Sequence, residues 1–360
     1  MKVFLSVASF KPSYGGPARS VSRLADALAE KGLEVGAWAP DQSAMDTGFI
    51  RQEGGVRRLG GDASEALRQF GGADLIHDNG LWLRHNHELA VLAQRRGIVR
   101  VVSPRGMLLP WAVRHKRWKK WLAWRLYQKA DFAGAAGWHA TAASEVAQLG
   151  FAGNFAQGQV IPNGVDVPAE AEPWPEGDGP RVMLFVGRIY PVKGLPLLVE
   201  AWAKVRPSGW VLRIVGPDEA GHQAEVAEQV RRAGLDGVVA FKGALAGAQL
   251  RQAYAEAEVV VLPSHTENFG MVVAEALAQG RPVIASRGTP WQGLVQRECG
   301  WWPEVSAEGV AGALEAAAAL SSEARRAMGA RGRDWMEADF SWSGCARAMA
   351  RWYGSLVPRA

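Results

Sequence analysis

Two cations and two carboxylates in this 360-residue chain have the types and spacing to do chemistry: Arg188 with Lys193, and Glu267 with Glu275. The first pair lies in Phe185-Val186-Gly187-Arg188-Ile189-Tyr190-Pro191-Val192-Lys193-Gly194, where an apolar run ends in glycine and a loop opens a helix. A helix N-terminus carries about half a positive charge. Together with a guanidinium fork and an ammonium point charge it suits a diphosphate. An exposed turn with two solvated cations would have the same residues. The second pair lies in Pro263-Ser264-His265-Thr266-Glu267-Asn268-Phe269-Gly270-Met271-Val272-Val273-Ala274-Glu275, again between an apolar strand and a helix. The N–H groups of Phe269, Gly270 and Met271 would be orphaned at the helix start, and Gly270 lets a ligand approach the main chain. Carboxylates beside free N–H groups can hold a polyol, the acids accepting from hydroxyls and the amides donating. A capped surface helix with solvated acids is the alternative.

The elements that must position these residues alternate along the whole chain. Val3–Ala8 reads as a buried strand, followed by a glycine loop with Gly15 and Gly16 and a helix with Val21, Leu24, Ala25 and Leu28 on one face. Further strands read at 35–39, 74–78, 99–103, 138–142 and 159–161. After residue 180 the alternation restarts at 182–186, 211–215, 238–241, 259–262 and 283–285. Strand–helix alternation without hairpin signals predicts parallel sheets covered on both faces. The fold expected is α/β, two Rossmann-like doubly wound domains facing across a cleft. Residues 1–165 are expected to form the N-terminal domain and 181–339 the C-terminal domain, to which the resemblance given below assigns acceptor and nucleotide-sugar binding. Residues 166–180, with four prolines and five acids, have a linker composition, and a C-terminal helix at 340–355 packs back on the first domain. The two cysteines, Cys299 and Cys345, make neither a metal spacing nor a disulfide framework, and no 18-residue apolar run exists to span a bilayer. A cytoplasmic setting fits. The C-terminal Leu356-Val357-Pro358-Arg359 resembles a protease-site tag remnant.

In order and at family spacing, these motifs resemble the retaining glycosyltransferases of family 4, the glycosyl transferases group 1, which have the GT-B fold. The resemblance includes the N-terminal glycine loop, Ile161-Pro162-Asn163-Gly164-Val165-Asp166, Gly187-Arg188…Lys193-Gly194, and Glu267/Glu275. It implies that Arg188 and Lys193 hold the donor diphosphate and stabilise charge on the leaving nucleotide. Glu275 would accept from ribose hydroxyls, while Glu267 and the N–H groups of Phe269, Gly270 and Met271 position the transferred sugar. Gly15, Gly16 and Gly187 would approach the donor, and the base would lie near Phe241 and Lys242. UDP and GDP both remain open as the donor nucleotide. Arg105, in Ser103-Pro104-Arg105-Gly106, stands where many relatives have histidine; Arg cannot serve as a general base there. His77, Asn79 and Trp82 are the other acceptor-side candidates, with His77 open to a purely structural role. The implied activity is transfer of a hexose from a nucleoside-diphosphate sugar to a saccharide, lipid-linked acceptor, in bacterial polysaccharide or lipopolysaccharide biosynthesis. A nucleotide-sugar epimerase and a non-catalytic nucleotide-sugar-binding protein are the alternatives.

No cofactor and no divalent metal are expected: the chain has no Asp-x-Asp and no His/Cys/Asp cluster at metal spacing. It also lacks the glycine fingerprints of nicotinamide and P-loop proteins. The formal net charge is +5, and residues 1–170 hold 21 Lys/Arg against 15 Asp/Glu. Between residues 89 and 130 there are 11 Lys/Arg and no acid. Within this stretch, 109–127 reads as a helix with Lys116, Arg117 and Lys120 opposite Trp118, Leu122 and Leu126, and with Trp121 and Trp124 at the boundary. Such a pattern suits an anionic membrane surface, which places the protein peripherally at the inner face of the cytoplasmic membrane. A core-packed helix with solvated lysines is the rival. No nucleic-acid motif accompanies the charge.

Overall fold

The computed structural model describes residues 1–46, 55–109, 112–113, 117–149, 158–170, 172–177 and 179–358. It divides into two units: Met1–Gly164 with Trp342–Ala360, and Val165–Ser341.

The first unit is built on β1 (Lys2–Val7), β2 (Glu34–Trp38), β3 (Val56–Leu59), β4 (Leu75–Asn79), β5 (Val99–Ser103), β6 (Gly137–Ala140) and β7 (Gly158–Val160). They form one sheet in the order β3-β2-β1-β4-β5-β6-β7, parallel throughout. Central strands of such a sheet are covered on both faces, so β1 reads as an unbroken apolar run. Val3, Leu5 and Val7 pack with Val21, Leu24, Ala25 and Leu28 of the helix Gly16–Glu30, and with Cys345, Met349 and Tyr353 of the last helix, Trp342–Leu356. On the other face Phe4 packs with Trp38, Leu67 and Phe70. Gly164 lies so close to Trp342 that an added Cβ would stand 2.4 Å from the indole. The strand β3 has no counterpart among the expected strands. Its sequence, Val-Arg-Arg-Leu, belongs to a sheet edge, where charge discourages further pairing.

The second unit has β8 (Arg181–Val186), β9 (Trp210–Val215), β10 (Val239–Phe241), β11 (Val259–Leu262), β12 (Val283–Ala285) and β13 (Gly300–Trp301). Their order is β10-β9-β8-β11-β12-β13, again all parallel. Two doubly wound α/β units are the fold expected from the alternation.

The described residues of segment 166–180, expected as a linker, group with the second unit and make contacts to it. The buried Arg281 guanidinium donates to the carbonyls of Pro173 (2.7 Å), Ala255 and Tyr254, and its face lies 4.9 Å from the Trp174 ring centroid. Trp174 Nε1 donates to Ser322 Oγ at 2.7 Å, and Arg333 donates to the Pro168 carbonyl. Proline-rich backbone has few N–H groups to pair but keeps its carbonyls. Two arginines take up those carbonyls, which composition alone does not reveal.

Candidate functional site

In the second unit the groups expected to carry chemistry lie at the carboxyl ends of β8 and β11, where ligands bind doubly wound sheets. Gly194 has φ of 70°, and a Cβ there would stand 2.2 Å from the Pro263 carbonyl oxygen. This close approach brings the two loops together: Lys193 Nζ lies 2.5 Å from Glu267 Oε1, the two side chains only 15% and 13% exposed. Ser264 Oγ donates to the same oxygen at 2.8 Å, and the Glu267 N–H is held by the Gly288 carbonyl at 2.8 Å. Residues 74 positions apart thus form one half-buried ion pair.

Beyond Glu267 the helix Met271–Ala278 begins at Gly270, whose φ of 77° is left-handed and whose start no side chain caps. The N–H groups of Phe269, Gly270 and Met271 find no acceptor among the described residues. The Phe269 ring, by contrast, is buried edge-on against Trp291 at 5.2 Å, so its main chain rather than its ring is offered to a ligand. Glu275 is half-buried and accepts from Tyr254 Oη at 3.3 Å. Arg188 is exposed and pairs with Glu219 at 2.5 Å. Gly187 closes β8 beneath it, so near to Gly216 that a Cβ on Gly216 would stand 1.8 Å from the Gly187 carbonyl oxygen. Phe241 ends β10, partly buried against the core. Lys242 follows, its N–H donating to the Ile214 carbonyl at 2.9 Å. A cavity of about 590 Å³ opens here, lined by Lys242, Arg213, Leu245, Gln249 and Gln252 among others. Tyr254, Ser264, Glu219 and Gly216 were not anticipated; of these, only Ser264, three residues before Glu267, had a local signal.

In the first unit Gly15, at φ 81°, caps the helix Gly16–Glu30 without a side-chain bond, and nothing stands within 4 Å of a Cβ at Gly15 or Gly16. The acceptor-side set changes. His77 is completely buried, with Nδ1 2.5 Å from Tyr353 Oη and Nε2 2.6 Å from Ser103 Oγ. Ser103 Oγ also meets His139 Nδ1 at 2.6 Å, and His139 Nε2 meets the Ile161 carbonyl at 2.8 Å. A carbonyl only accepts, so His139 carries its proton on Nε2. Ser103 then donates to His139 and accepts from His77 Nε2, and Tyr353 donates to His77 Nδ1. Burial, with the Arg105 charge nearby, pushes His139 down to about 3. Burial, then His139 and Arg105, hold His77 well below its ordinary value. His77 is therefore a satisfied structural histidine and leaves the substrate-facing set.

Asn79 is also buried and accepts from Arg105 Nε at 2.9 Å. Trp82, at φ 70°, donates from Nε1 to the Met107 carbonyl and packs near Trp124, ring centroids 6.2 Å apart. Of the basic, tryptophan-rich set, Lys116 lies outside the described residues. The helix Arg117–Ala123 buries none of its residues. Trp118 (68%), Trp121 (57%), Leu122 (44%) and Leu126 (71%) are exposed, so the core-packed alternative does not hold for them. Trp124 departs from the expectation: it packs against Phe132, ring centroids 5.4 Å apart. Lys120 turns back to donate to the Ala112 carbonyl. No group of three or more potential metal ligands occurs among the described residues.

Two doubly wound parallel units, one with an ion pair and an uncapped helix start at its strand ends, are the architecture of a GT-B glycosyltransferase. Residues 15–164 match the family described as Glycosyl transferase 4-like domain and residues 166–335 match Glycosyl transferases group 1; the chain belongs to this family. It is 42% identical over 129 residues to D-inositol 3-phosphate glycosyltransferase of Kineococcus radiotolerans. That match covers 33% of the chain and spans 28% of the relative's length. In fold it is similar to sucrose-phosphate synthase from Thermosynechococcus elongatus, at TM-score 0.82 and 24% identity over 99% of both chains. It is also similar to HepE of Anabaena, solved with UDP and glucose, at TM-score 0.74 and 20% identity over 99% of this chain and 100% of that one.

Proposed function

We propose that the protein is a retaining glycosyltransferase that moves a hexose from a UDP- or GDP-linked donor to a saccharide acceptor without a divalent metal. The observation that carries this reading is the half-buried Lys193–Glu267 pair beside the unsatisfied N–H groups of Phe269, Gly270 and Met271. In the proposed mechanism Lys193 and Arg188 stabilise charge on the departing diphosphate, as preorganised donors do best in a site with little water. They supply the positive charge a metal would otherwise bring. Glu275, oriented by Tyr254, accepts from the ribose. Glu267 offers Oε2 to a hydroxyl of the transferred sugar while Oε1 is held by Lys193 and Ser264. No covalent nucleophile is required: the acceptor hydroxyl attacks on the leaving-group side, and the departing phosphate takes its proton. The UDP held by HepE makes UDP the first nucleotide to test.

Incubating the protein with labelled UDP- or GDP-hexose and a membrane extract is the test. Label should pass to an acceptor with the anomeric configuration kept, and EDTA should leave the rate unchanged. Epimerised donor, or binding without turnover, would favour the rival readings.

The acceptor side of the proposal is a lipid-linked saccharide at an anionic membrane surface, reached from the cytoplasm, in polysaccharide or lipopolysaccharide assembly. Exposed Trp118, Trp121, Leu122 and Leu126 beside exposed Arg117, Lys119 and Arg125 support it. Apolar anchors can enter the headgroup layer while each nearby basic residue contributes about 1 kcal/mol. The protein is expected to float with phosphatidylglycerol-containing liposomes at low salt and to be released at about 0.5 M salt. Trp118→Ser with Leu126→Ser should abolish flotation; absence of flotation by the unaltered chain would rule the surface out.

A further inference from the structure

The first unit contains a half-buried positive charge that no carboxylate touches among the described residues. Arg105 follows β5 in a left-handed conformation, φ 51°, ahead of Gly106 at φ 78°. Non-glycine residues persist there only when their surroundings enforce it. Two asparagine side chains hold its guanidinium. Asn79, the last residue of β4, accepts from Arg105 Nε at 2.9 Å, and Asn163, just beyond β7, accepts from Nη1 at 2.7 Å. The Asn79 amide is itself fixed, since its Nδ2 donates to the Ser6 and His77 carbonyls at 3.0 and 3.2 Å.

Both partners are neutral amides. Among the described residues no carboxylate lies within 4 Å of the Arg105 guanidinium. The contrast is Arg100, within β5, whose buried guanidinium meets Asp78 at 3.0 Å. The nearby acid, Glu145, is committed elsewhere: its two oxygens accept from the Gly106 N–H, the Thr141 N–H and Thr141 Oγ1. The nearby histidines, His77 and His139, stay neutral, and burial lowers Arg105 itself only to about 10. Arg105 is therefore charged at neutral pH. Two of its five N–H donors find acceptors among the described residues, and the remaining three, on Nη1 and Nη2, make an edge suited to an oxyanion.

We infer that Arg105, steered by Asn79 and Asn163, is an oxyanion anchor in the first unit that grips a phosphate group carried by a substrate. The proposal deepens the transferase reading and rests on it for the word substrate. The phosphate can come from the donor diphosphate or from a phosphorylated acceptor, and the two sources are separable. Asn79 and Asn163 are positioning residues; Arg105 touches the ligand.

The test is equilibrium binding to the full chain and to Arg105→Gln, first with UDP alone and then with inorganic phosphate at saturating UDP. Weakening of tenfold or more in the phosphate titration assigns Arg105 to the acceptor; the same loss in the UDP titration assigns it to the donor. Unchanged affinity in both overturns the inference. Arg105→Gln should unfold in urea at about the same midpoint as the unaltered protein or a higher one, because it removes a half-buried charge with no carboxylate partner and can keep one amide contact. A lowered midpoint with unchanged binding would make Arg105 structural. Asn163→Leu, which leaves the charge but frees the guanidinium, should weaken the same titration by several-fold. A chain that binds neither UDP nor GDP contradicts the transferase reading alone, and phosphate titrated without nucleotide then still decides on Arg105.

Discussion

Glu267→Gln should lower kcat by about 10²–10³-fold while changing the Kd for UDP by less than about threefold. The nucleotide has its own contacts in the proposal: Glu275 at the ribose, and Arg188 and Lys193 at the phosphates. Glu267 faces the part of the donor that UDP lacks. Its position is over-determined by Lys193 at 2.5 Å, Ser264 at 2.8 Å and its own N–H on Gly288, so Gln occupies the same space with little rearrangement. What is lost is the negative charge opposite the sugar hydroxyl and the half-buried pairing of Lys193. An interaction made mainly in the transition state appears in kcat and kcat/KM together. Lys193→Met provides the contrast, since it should weaken UDP binding and turnover alike. Stopped assays with the donor saturating, alongside calorimetric UDP titrations, separate the two patterns. Turnover by Glu267→Gln within twofold of the unaltered enzyme would remove Glu267 from the mechanism.

What the sequence disclosed and what it hid divide along a physical line. Strands covered on both faces leave unbroken apolar runs, so β1, β8 and β11 could be read directly, and with them the loops that carry Arg188, Lys193 and Glu267. Edge strands leave almost no such run: β3 has two arginines in four residues and β13 is two residues long. Partners supplied across the sheet were hidden for another reason. Tyr254 reaches Glu275 from another helix and Glu219 reaches Arg188 from the loop after β9, and no local pattern encodes either meeting. His77 stayed open between a substrate-facing and a structural role because its partner Tyr353 is 276 residues away. The tryptophan-rich helix was legible in composition but not in phase. Residues Trp124–Gln128 form a π-helical turn, which takes more residues per turn and shifts the face that follows. A uniform 100° per residue placed Trp124 at the boundary, whereas it packs inward against Phe132.

The chain Tyr353–His77–Ser103–His139–Ile161 makes the first unit acid-labile in a predictable way. Both histidines are buried and neutral, with folded-state values below the 6.5 of an exposed histidine, about 3 for His139. Above pH 6.5 the folded and unfolded chains bind the same protons at these sites, and stability does not depend on them. Below it the unfolded chain takes up protons that the folded chain refuses. Stability then falls by up to about 1.4 kcal/mol per pH unit for each histidine, and continues to fall until the folded-state values are reached. Protonation within the fold would force a second N–H onto a nitrogen that must accept: Nδ1 of His139 from Ser103, or Nδ1 of His77 from Tyr353. Arg105 faces both rings with a fixed positive charge, which opposes protonation further. A chain of two units need not unfold in one step, so the measurement is hydrogen exchange of the β5 and β6 amides between pH 7 and pH 4, corrected for intrinsic exchange. The opening free energy of the unaltered protein should drop with a slope approaching about 2.7 kcal/mol per pH unit. His139→Gln can still donate to the Ile161 carbonyl and accept from Ser103 but does not titrate, so it should roughly halve that slope. A His139→Gln protein with the slope of the unaltered chain would show that the acid sensitivity lies elsewhere.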